Sequence, residues 1–403
     1  VNSLFGGNGL SPAVTRILLH SLLFSIAASI ADVLLGFYIV SIGLSTTDVG
    51  LLSTTMRIAG MVTAMPLGLL VDRIGAQRAL ALGATAYGLS WAVLLFMETR
   101  PALFAAQFLV GTAMLLASTA VQPLLSQHVT DTQRASLFGF NVFAIVIAGT
   151  VGGTLGGALP SWAALLPGIT AQSAAAYRIA LIGLIVLTAA AVLPIIGRFP
   201  RPLHTHSGGN VIADQSPISQ WRIIRLGLPS LMIGCGAGAI LPFQALFLRD
   251  AYAQSDAAVG LILGISALGS GIGALMGAPL TARIGARLST TVFRLAAAPA
   301  MALLLVPNLY AAVASLTLRG ALTGASWSQG DALIVGLTPP AQRGRLIAMS
   351  MLLWSMGWAV TSALSGWLQP RFGYAPQFVL AALMYVVSAW SGFTLKDDHG
   401  RPA

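Results

Sequence analysis

Residues 68–78, GLLVDRIGAQR, set an aspartate, two arginines and two glycines between two long apolar runs. The runs on either side, 49–71 and 79–97, are each long enough to cross the roughly 30 Å hydrocarbon core of a bilayer as a helix, which takes about 20 apolar residues. Part of this loop returns later in the chain: Arg73-Ile74-Gly75-Ala76 is answered by Arg283-Ile284-Gly285-Ala286, displaced by 210 positions. Asp48-Val49-Gly50-Leu51-Leu52 is answered by Ala258-Val259-Gly260-Leu261-Ile262 at the same displacement, and Gln133-Arg134 by Gln342-Arg343 at 209. Three separated pieces displaced by 209–210 positions point to a parallel internal duplication, in which each half forms one bundle of helices.

The rest of the chain has the composition such a duplication needs. Of 403 residues, 56% are hydrophobic and only 8% are charged, against about 25% charged in a soluble domain. A water-soluble fold of this size would lack the charge to cover its surface. Apolar runs between charged and Pro/Gly punctuation predict spans at 14–43, 49–71, 79–97, 102–126, 135–158, 177–197, 223–248, 257–281, 288–306, 309–336, 346–368 and 376–395. Runs of this length exclude an outer-membrane barrel, whose strands are short and alternating. The first run is too long for a signal-peptide core and lacks a small-residue cleavage site, so it is expected to stay in the mature protein. The expected fold is all-α and integral to the membrane, with twelve helices in two pseudo-symmetric six-helix bundles at 1–197 and 223–403. Residues 198–222, rich in Pro, Gly and Ser, read as a cytoplasmic linker. His204 and His206 within it do not make a metal site by themselves. The single Cys235 excludes internal disulfides and reads as a small buried residue.

The net charge of +10 would suit a nucleic-acid partner, but its distribution says otherwise. With the N-terminus inside, fifteen Lys and Arg residues, Arg294 counted among them, fall on the cytoplasmic side and four outside. That asymmetry is a topology signal. Both termini are expected to be cytoplasmic, in a prokaryotic inner membrane, and nucleic acid is not an expected partner.

The 68–78 stretch also resembles the G-x-L-x-D-R-x-G-R-R loop of the major facilitator superfamily. Gly68, Leu70, Asp72, Arg73 and Gly75 match, Ala76 and Gln77 depart from the basic pair, and Arg78 follows. The later copy has Ala282 in place of the acid. The resemblance extends over the whole chain, and it implies alternating access about a cavity lined by spans one, four, seven and ten. It also implies a conformational latch at the cytoplasmic side, made of Gly68, Asp72, Arg73, Gly75 and Arg78 with Asp131 and Arg134 of the neighbouring loop. The glycines would allow close packing and a tight turn. Asp72 would sit near a helix N-terminus. Gly149-Thr150-Val151-Gly152-Gly153-Thr154-Leu155-Gly156-Gly157 looks like the G-P-x-x-G-G signature of the family's antiporters, with Gly153 where proline is usual. Helix packing accounts for such a run equally well.

Ionisable groups at bilayer depth are costly and are treated as functional candidates. Asp32, Arg57 and Arg319 lie roughly 16, 14 and 15 Å below the outer ends of spans one, two and ten at 1.5 Å per residue, close to the midplane. Helical spacing puts Ser25, Ser29, Asp32 and Gly36 on one face of span one, and Gln107, Gly111, Ser118 and Gln122 on one face of span four. Arg319, Thr323, Trp327 and Asp331 stack in the same way on span ten. Such faces are expected to line a shared aqueous cavity, with Tyr38, Gln244 and Trp354 as further substrate contacts. Asp32 is the expected proton carrier and Arg57 its partner, although a static Asp32–Arg57 ion pair would also explain both. Gln122 and Asp331, at equivalent places in the two halves, are candidates for a cytoplasmic gate. His20 reads as packed or interfacial.

The function expected is secondary active transport by alternating access, proton-coupled and exporting small organic or amphipathic compounds, by a monomer without cofactor or metal. Arg57 and Arg319 leave open an uptake symporter or exchanger for an organic anion. A non-transporting receptor or assembly subunit on the same fold also stays open, since fold does not imply function. No Walker loop, H-E-x-x-H, C-x-x-C or paired intramembrane aspartates occur, so an enzyme is not expected.

Overall fold

The computed structural model describes residues 11–97, 99–128, 131–197, 199, 219–338 and 342–395, with the backbone alone at 131–139, 220, 328 and 335. The linker histidines lie outside the described residues. Among these residues the chain is helical and contains no strand. The first half holds α1 (Pro12–Ser41), α2 (Thr46–Ile74), α3 (Ala76–Phe96), α4 (Arg100–Gln127), α5 (Asp131–Ala163) and α6 (Ala174–Val192). The second half holds α7 (Gln220–Ile240), α8 (Gln244–Tyr252), α9 (Asp256–Ile284), α10 (Ala286–Ala302), α11 (Leu309–Gly336), α12 (Arg343–Phe372) and α13 (Ala375–Phe393).

Every predicted span has its helix, with one correction. Span seven, expected to be continuous over 223–248, is two helices, α7 and α8. Pro242 supplies no N–H for the helical ladder, and the chain turns there, with the Phe243 N–H donating to Ile240 O at 3.0 Å. Eleven helical segments, α7 and α8 counted as one, are long and apolar enough to cross a bilayer among the described residues, and α11 is not one of them. α11 has 28 residues but carries Arg319, Thr323, Ser326, Trp327 and Asp331. The helix expected to hold most of the site thus carries several polar side chains along its length.

Helix starts follow local chemistry. Ser11, Ser173 and Ser255 accept from backbone N–H groups in the first turns of α1, α6 and α9, which satisfies donors the helix itself cannot. Asp48 caps the start of α2 by accepting from the Ser45 N–H at 3.0 Å and the Ser45 hydroxyl at 2.8 Å. The two copies of the loop motif share one backbone shape. Gly75 and Gly285 have φ of 84° and 82° and stand immediately before α3 and α10, a left-handed conformation that favours glycine.

In lipid, helices associate through close packing and hydrogen bonds more than through an apolar driving force, and small residues let backbones approach. A Cβ placed on Gly273 of α9 would lie 1.9 Å from Ala321 O of α11, and one on Gly324 of α11 would lie 2.1 Å from Ser270 O of α9. Gly234 and Gly238 of α7 meet the Trp354 and Trp358 carbonyls of α12 in the same way, and Gly357 of α12 packs back against Leu231 and Cys235. Cys235 is the buried small residue that was expected. In α5, Gly152 and Gly156 lie against Ile26, Ser29, Ile30 and Val33 of α1. The glycine run thus has a packing role whatever its resemblance to an antiporter signature.

Contacts divide the chain into two compact units. One holds α1, the second part of α2 and α3–α6. The other holds residues 43–57 and the helices from α7 onward. Residues 43–57 therefore go with the second unit, whereas the sequence reading put them with the first. The reason is a tight seam with α12. A Cβ on Gly50 would lie 2.4 Å from Ser362 O. Thr47 donates to Gly366 O at 2.8 Å, Thr54 to Ala359 O at 2.7 Å, and Ser362 to Gly50 O at 3.1 Å.

Candidate functional site

Within the second unit, α2, α7, α10, α11 and α12 enclose a cavity of about 270 Å³. Its charged lining is Arg57, Arg294 and Asp331; Trp327 and Trp354 supply aromatic walls, with Ser230, Ser326, Ser350 and Ser355 as small polar groups. Four of these residues were expected as site residues from the sequence: Arg57, Trp327, Asp331 and Trp354.

Arg57 is held by the aromatic face of α12. Its guanidinium carbon lies 4.0 Å from the centre of the Trp358 ring and 4.9 Å from that of Trp354, within reach of a cation–π attraction. Trp354 and Trp358, one turn apart, are 5.2 Å centre to centre, and Trp327 of α11 meets Trp354 nearly edge-on at 5.3 Å. The Trp358 indole N–H donates to Ser53 Oγ at 2.9 Å, which fixes its ring against α2.

Arg294 is the charged cavity-lining residue that sequence reasoning did not single out, because it was counted with the topogenic arginines. It lies in α10, is 7% exposed, and lines the cavity. One terminal N–H donates to Ser388 Oγ at 3.2 Å, and Ser388 in turn donates to Pro229 O at 2.7 Å. The other terminal nitrogen lies over Gly330, where a Cβ would come within 2.7 Å of it. Its Nε has no hydrogen-bond partner among the described residues. Asp331 of α11 is its electrostatic neighbour. The sequence did hold a signal: Arg294 falls inside predicted span 288–306 rather than between spans.

The other expected residues are distributed as follows. Arg319 is 6% exposed and its Nε has no hydrogen-bond partner among the described residues, but it does not line this cavity. Thr323, one turn below, donates back to Arg319 O at 2.8 Å. Gln244 opens α8 with a buried side-chain oxygen that has no hydrogen-bond partner among the described residues. In the first unit Asp32 is exposed between buried Ala31 and Val33 and is an electrostatic neighbour of Tyr87. Tyr38 is packed inside that unit, with Arg178 Nε 3.5 Å from its hydroxyl. Gln107 is 1% exposed and Gln122 is exposed. His20 donates from Nδ1 to Ala191 O at 2.7 Å and stacks on Phe24, so it is packed.

At the loop motif, Asp72, Arg73, Gly75 and Arg78 are exposed. Gly68 was expected to allow close helix packing, yet nothing lies within 4 Å of a Cβ built there, so that expectation is corrected. The Asp131 and Arg134 side chains lie outside the described residues. Gln77, where the motif departs from the basic pair, donates to Ile195 O at 2.9 Å and Gly197 O at 2.8 Å. Its counterpart 210 positions on, Arg287, donates from Nε to Phe393 O at 2.6 Å and lies over the Phe393 ring. Among the described residues no cluster of three or more His, Cys, Asp or Glu could hold a metal ion.

The sequence model described as Major Facilitator Superfamily matches residues 17–228 and 226–403. An uncharacterized MFS-type transporter of Burkholderia mallei (strain SAVP1) is 24% identical over 359 residues, covering 87% of this chain and 84% of that protein. A counterpart in Burkholderia pseudomallei (strain K96243) matches equally. Among solved structures, a bacterial homolog of the human lysosomal transporter Spinster superposes with a TM-score of 0.79 at 16% identity, covering 96% of this chain and 97% of that one. The D-xylose-proton symporter gives 0.76 at 15% identity, with 97% and 99% covered. The nucleoside transporter NupG gives 0.73 at 17%, with 95% and 100% covered.

Proposed function

Because the chain belongs to the Major Facilitator Superfamily of transporters, we propose that it is a proton-coupled secondary transporter that exports small organic or amphipathic compounds, with the cavity bounded by Arg57, Arg294, Asp331, Trp327 and Trp354 as a substrate-contacting site. The observation that carries this reading is that cavity itself. Three charged groups and two tryptophans face a small space inside helices otherwise built to sit in lipid, where charge is retained mainly for function. Asp32 is the proposed proton carrier. It is an exposed acid in the second half of α1, and its neighbour Tyr87 belongs to the same unit. The exposed Asp72, Arg73 and Arg78 suit a latch whose contacts change between states. The reading includes a monomer in a prokaryotic inner membrane with both termini cytoplasmic, consistent with the arginine asymmetry of the loops.

Flux into or out of proteoliposomes under an imposed proton gradient tests this function. The wild type should move solute against its own gradient at the expense of the proton gradient. Asp32→Asn should retain downhill exchange and lose proton-driven accumulation. Full proton-driven transport by that variant would remove Asp32 from the mechanism, and binding without flux in the wild type would favour a receptor.

A second reading, an uptake symporter for an organic anion, draws on Arg57 and Arg294, which outnumber Asp331 in the cavity lining. Arg57→Ala and Arg294→Ala would then abolish uptake of anions while leaving cationic substrates unaffected.

A further inference from the structure

The cavity can be read for the chemistry of its occupant, an inference that rests on its being a substrate site. At about 270 Å³ it lies at the small end of ligand cavities, which span about 300–1,000 Å³. It suits a molecule of one or two rings. The ring would lie against Trp327 and Trp354, whose indoles meet nearly perpendicularly and so offer a face and an edge to an aromatic body.

Two charged side chains beside these walls are not fully satisfied by hydrogen bonds among the described residues. Arg294 is more than nine-tenths buried, and beyond its bond to Ser388 its Nε–H finds no acceptor among the described residues. A buried cation with an open donor is costly unless an acceptor arrives. Asp331 makes no hydrogen bond or ion pair among the described residues, although Arg294 acts on it electrostatically. A guanidinium and a carboxylate, opposite in charge, therefore line the same small space. The remaining charge, Arg57, lies over the Trp354 and Trp358 rings.

The duplication shows that these groups are not a requirement of the fold. α3 and α10 begin at Ala76 and Ala286, so Arg294 corresponds to Ala84. α4 and α11 begin at Arg100 and Leu309, so Asp331 corresponds to Gln122 and Trp327 to Ser118. The same helices are built in the first half without charge or indole at these positions.

The geometry points to a small aromatic zwitterion as the ligand of this cavity, its carboxylate towards Arg294, its ammonium towards Asp331, and its ring against the Trp327–Trp354 pair. A plain anion would leave the Asp331 carboxylate unmatched and bring a second negative charge towards it. A plain cation would leave the Arg294 donor unmatched.

The test uses three probes that differ by one charged group: L-phenylalanine, 3-phenylpropionate and 2-phenylethylamine. Binding to the purified full-length protein is followed by calorimetry or by thermal shift. The wild type should bind L-phenylalanine at least about tenfold more tightly than either analogue, since each leaves one of the two cavity charges without its counterpart. Asp331→Asn should lose that preference and gain affinity for 3-phenylpropionate, and Arg294→Gln should gain affinity for 2-phenylethylamine. A gain of binding cannot come from misfolding. Equal binding of the three probes to the wild type, or variants that leave the order unchanged, would overturn the assignment. If L-phenylalanine binds with the predicted pattern but is not transported, the transport reading fails and the ligand assignment stands. If proteoliposomes carry other solutes while none of the three probes binds, the reverse holds.

Discussion

Arg57 lies on two indole faces, and what it owes to each can be separated. Trp358 contributes a ring face at 4.0 Å and an N–H donated to Ser53. Trp358→Phe keeps a face and removes the donor; Trp358→Leu removes both. A cation–π contact is worth about 0.5–2 kcal/mol, and the hydrogen bond about 0.5–1.5 kcal/mol. Trp358→Leu should therefore lower the melting temperature in detergent further than Trp358→Phe does. Equal losses would mean that the ring face contributes nothing. At this scale the sequence was partly legible. Axial depth placed Arg57 beside the midplane, because rise per residue is fixed, and helical spacing put Trp327 and Asp331 on one face of span ten. Azimuth and side-chain reach were not legible. Arg319 was grouped with Arg57 by depth, yet Arg57 lines the cavity and Arg319 does not. Arg294 was hidden because an arginine near a span end resembles a topology marker.

Helix pairs in this protein depend on individual glycines to very different degrees. Gly273→Val would push side-chain atoms into the Ala321 carbonyl of α11, where even a Cβ would lie 1.9 Å away. Backbone cannot yield as a flexible side chain can, so the α9–α11 pair should separate and the yield of folded protein should fall sharply. Gly152→Val in α5 should act in the same way on the contact with α1, where a Cβ would come within 2.6 Å of Ile26 O. Gly68→Ala meets nothing within 4 Å and should leave stability unchanged or slightly raised, since alanine favours helix over glycine by about 1 kcal/mol. Size-exclusion profiles and melting temperatures of the three variants check this ranking. If Gly68→Ala proved the most damaging, helix packing would not explain the glycines. Elements were the most legible level of this protein, because a membrane span is written as a long apolar run. The exception, the break between α7 and α8, turns on the absent N–H of Pro242. Prolines inside α2, α4, α7 and other helices are accommodated, so proline alone was no signal.

For the molecule as a whole, the arginine asymmetry predicts which loops face the cytoplasm. In a Cys235→Ser background, a cysteine at Arg78 should react with a membrane-impermeant maleimide only in inverted vesicles, and one at Thr170 only in intact cells. The opposite pattern would invert the topology. The twofold plan was legible from three short matches. Its chemical asymmetry was not, because it appears only when Arg294 is compared with Ala84 and Asp331 with Gln122. Gln77 and Arg287 give the converse case. They differ in charge, yet each ties down carbonyls at the end of its own half, at Ile195 and Gly197 in one and at Phe393 in the other. After the gene doubled, the two copies were free to drift in residue identity so long as a side-chain donor remained at that place. What descent kept there was a task, and a neutral amide and a cation have each served as its tool.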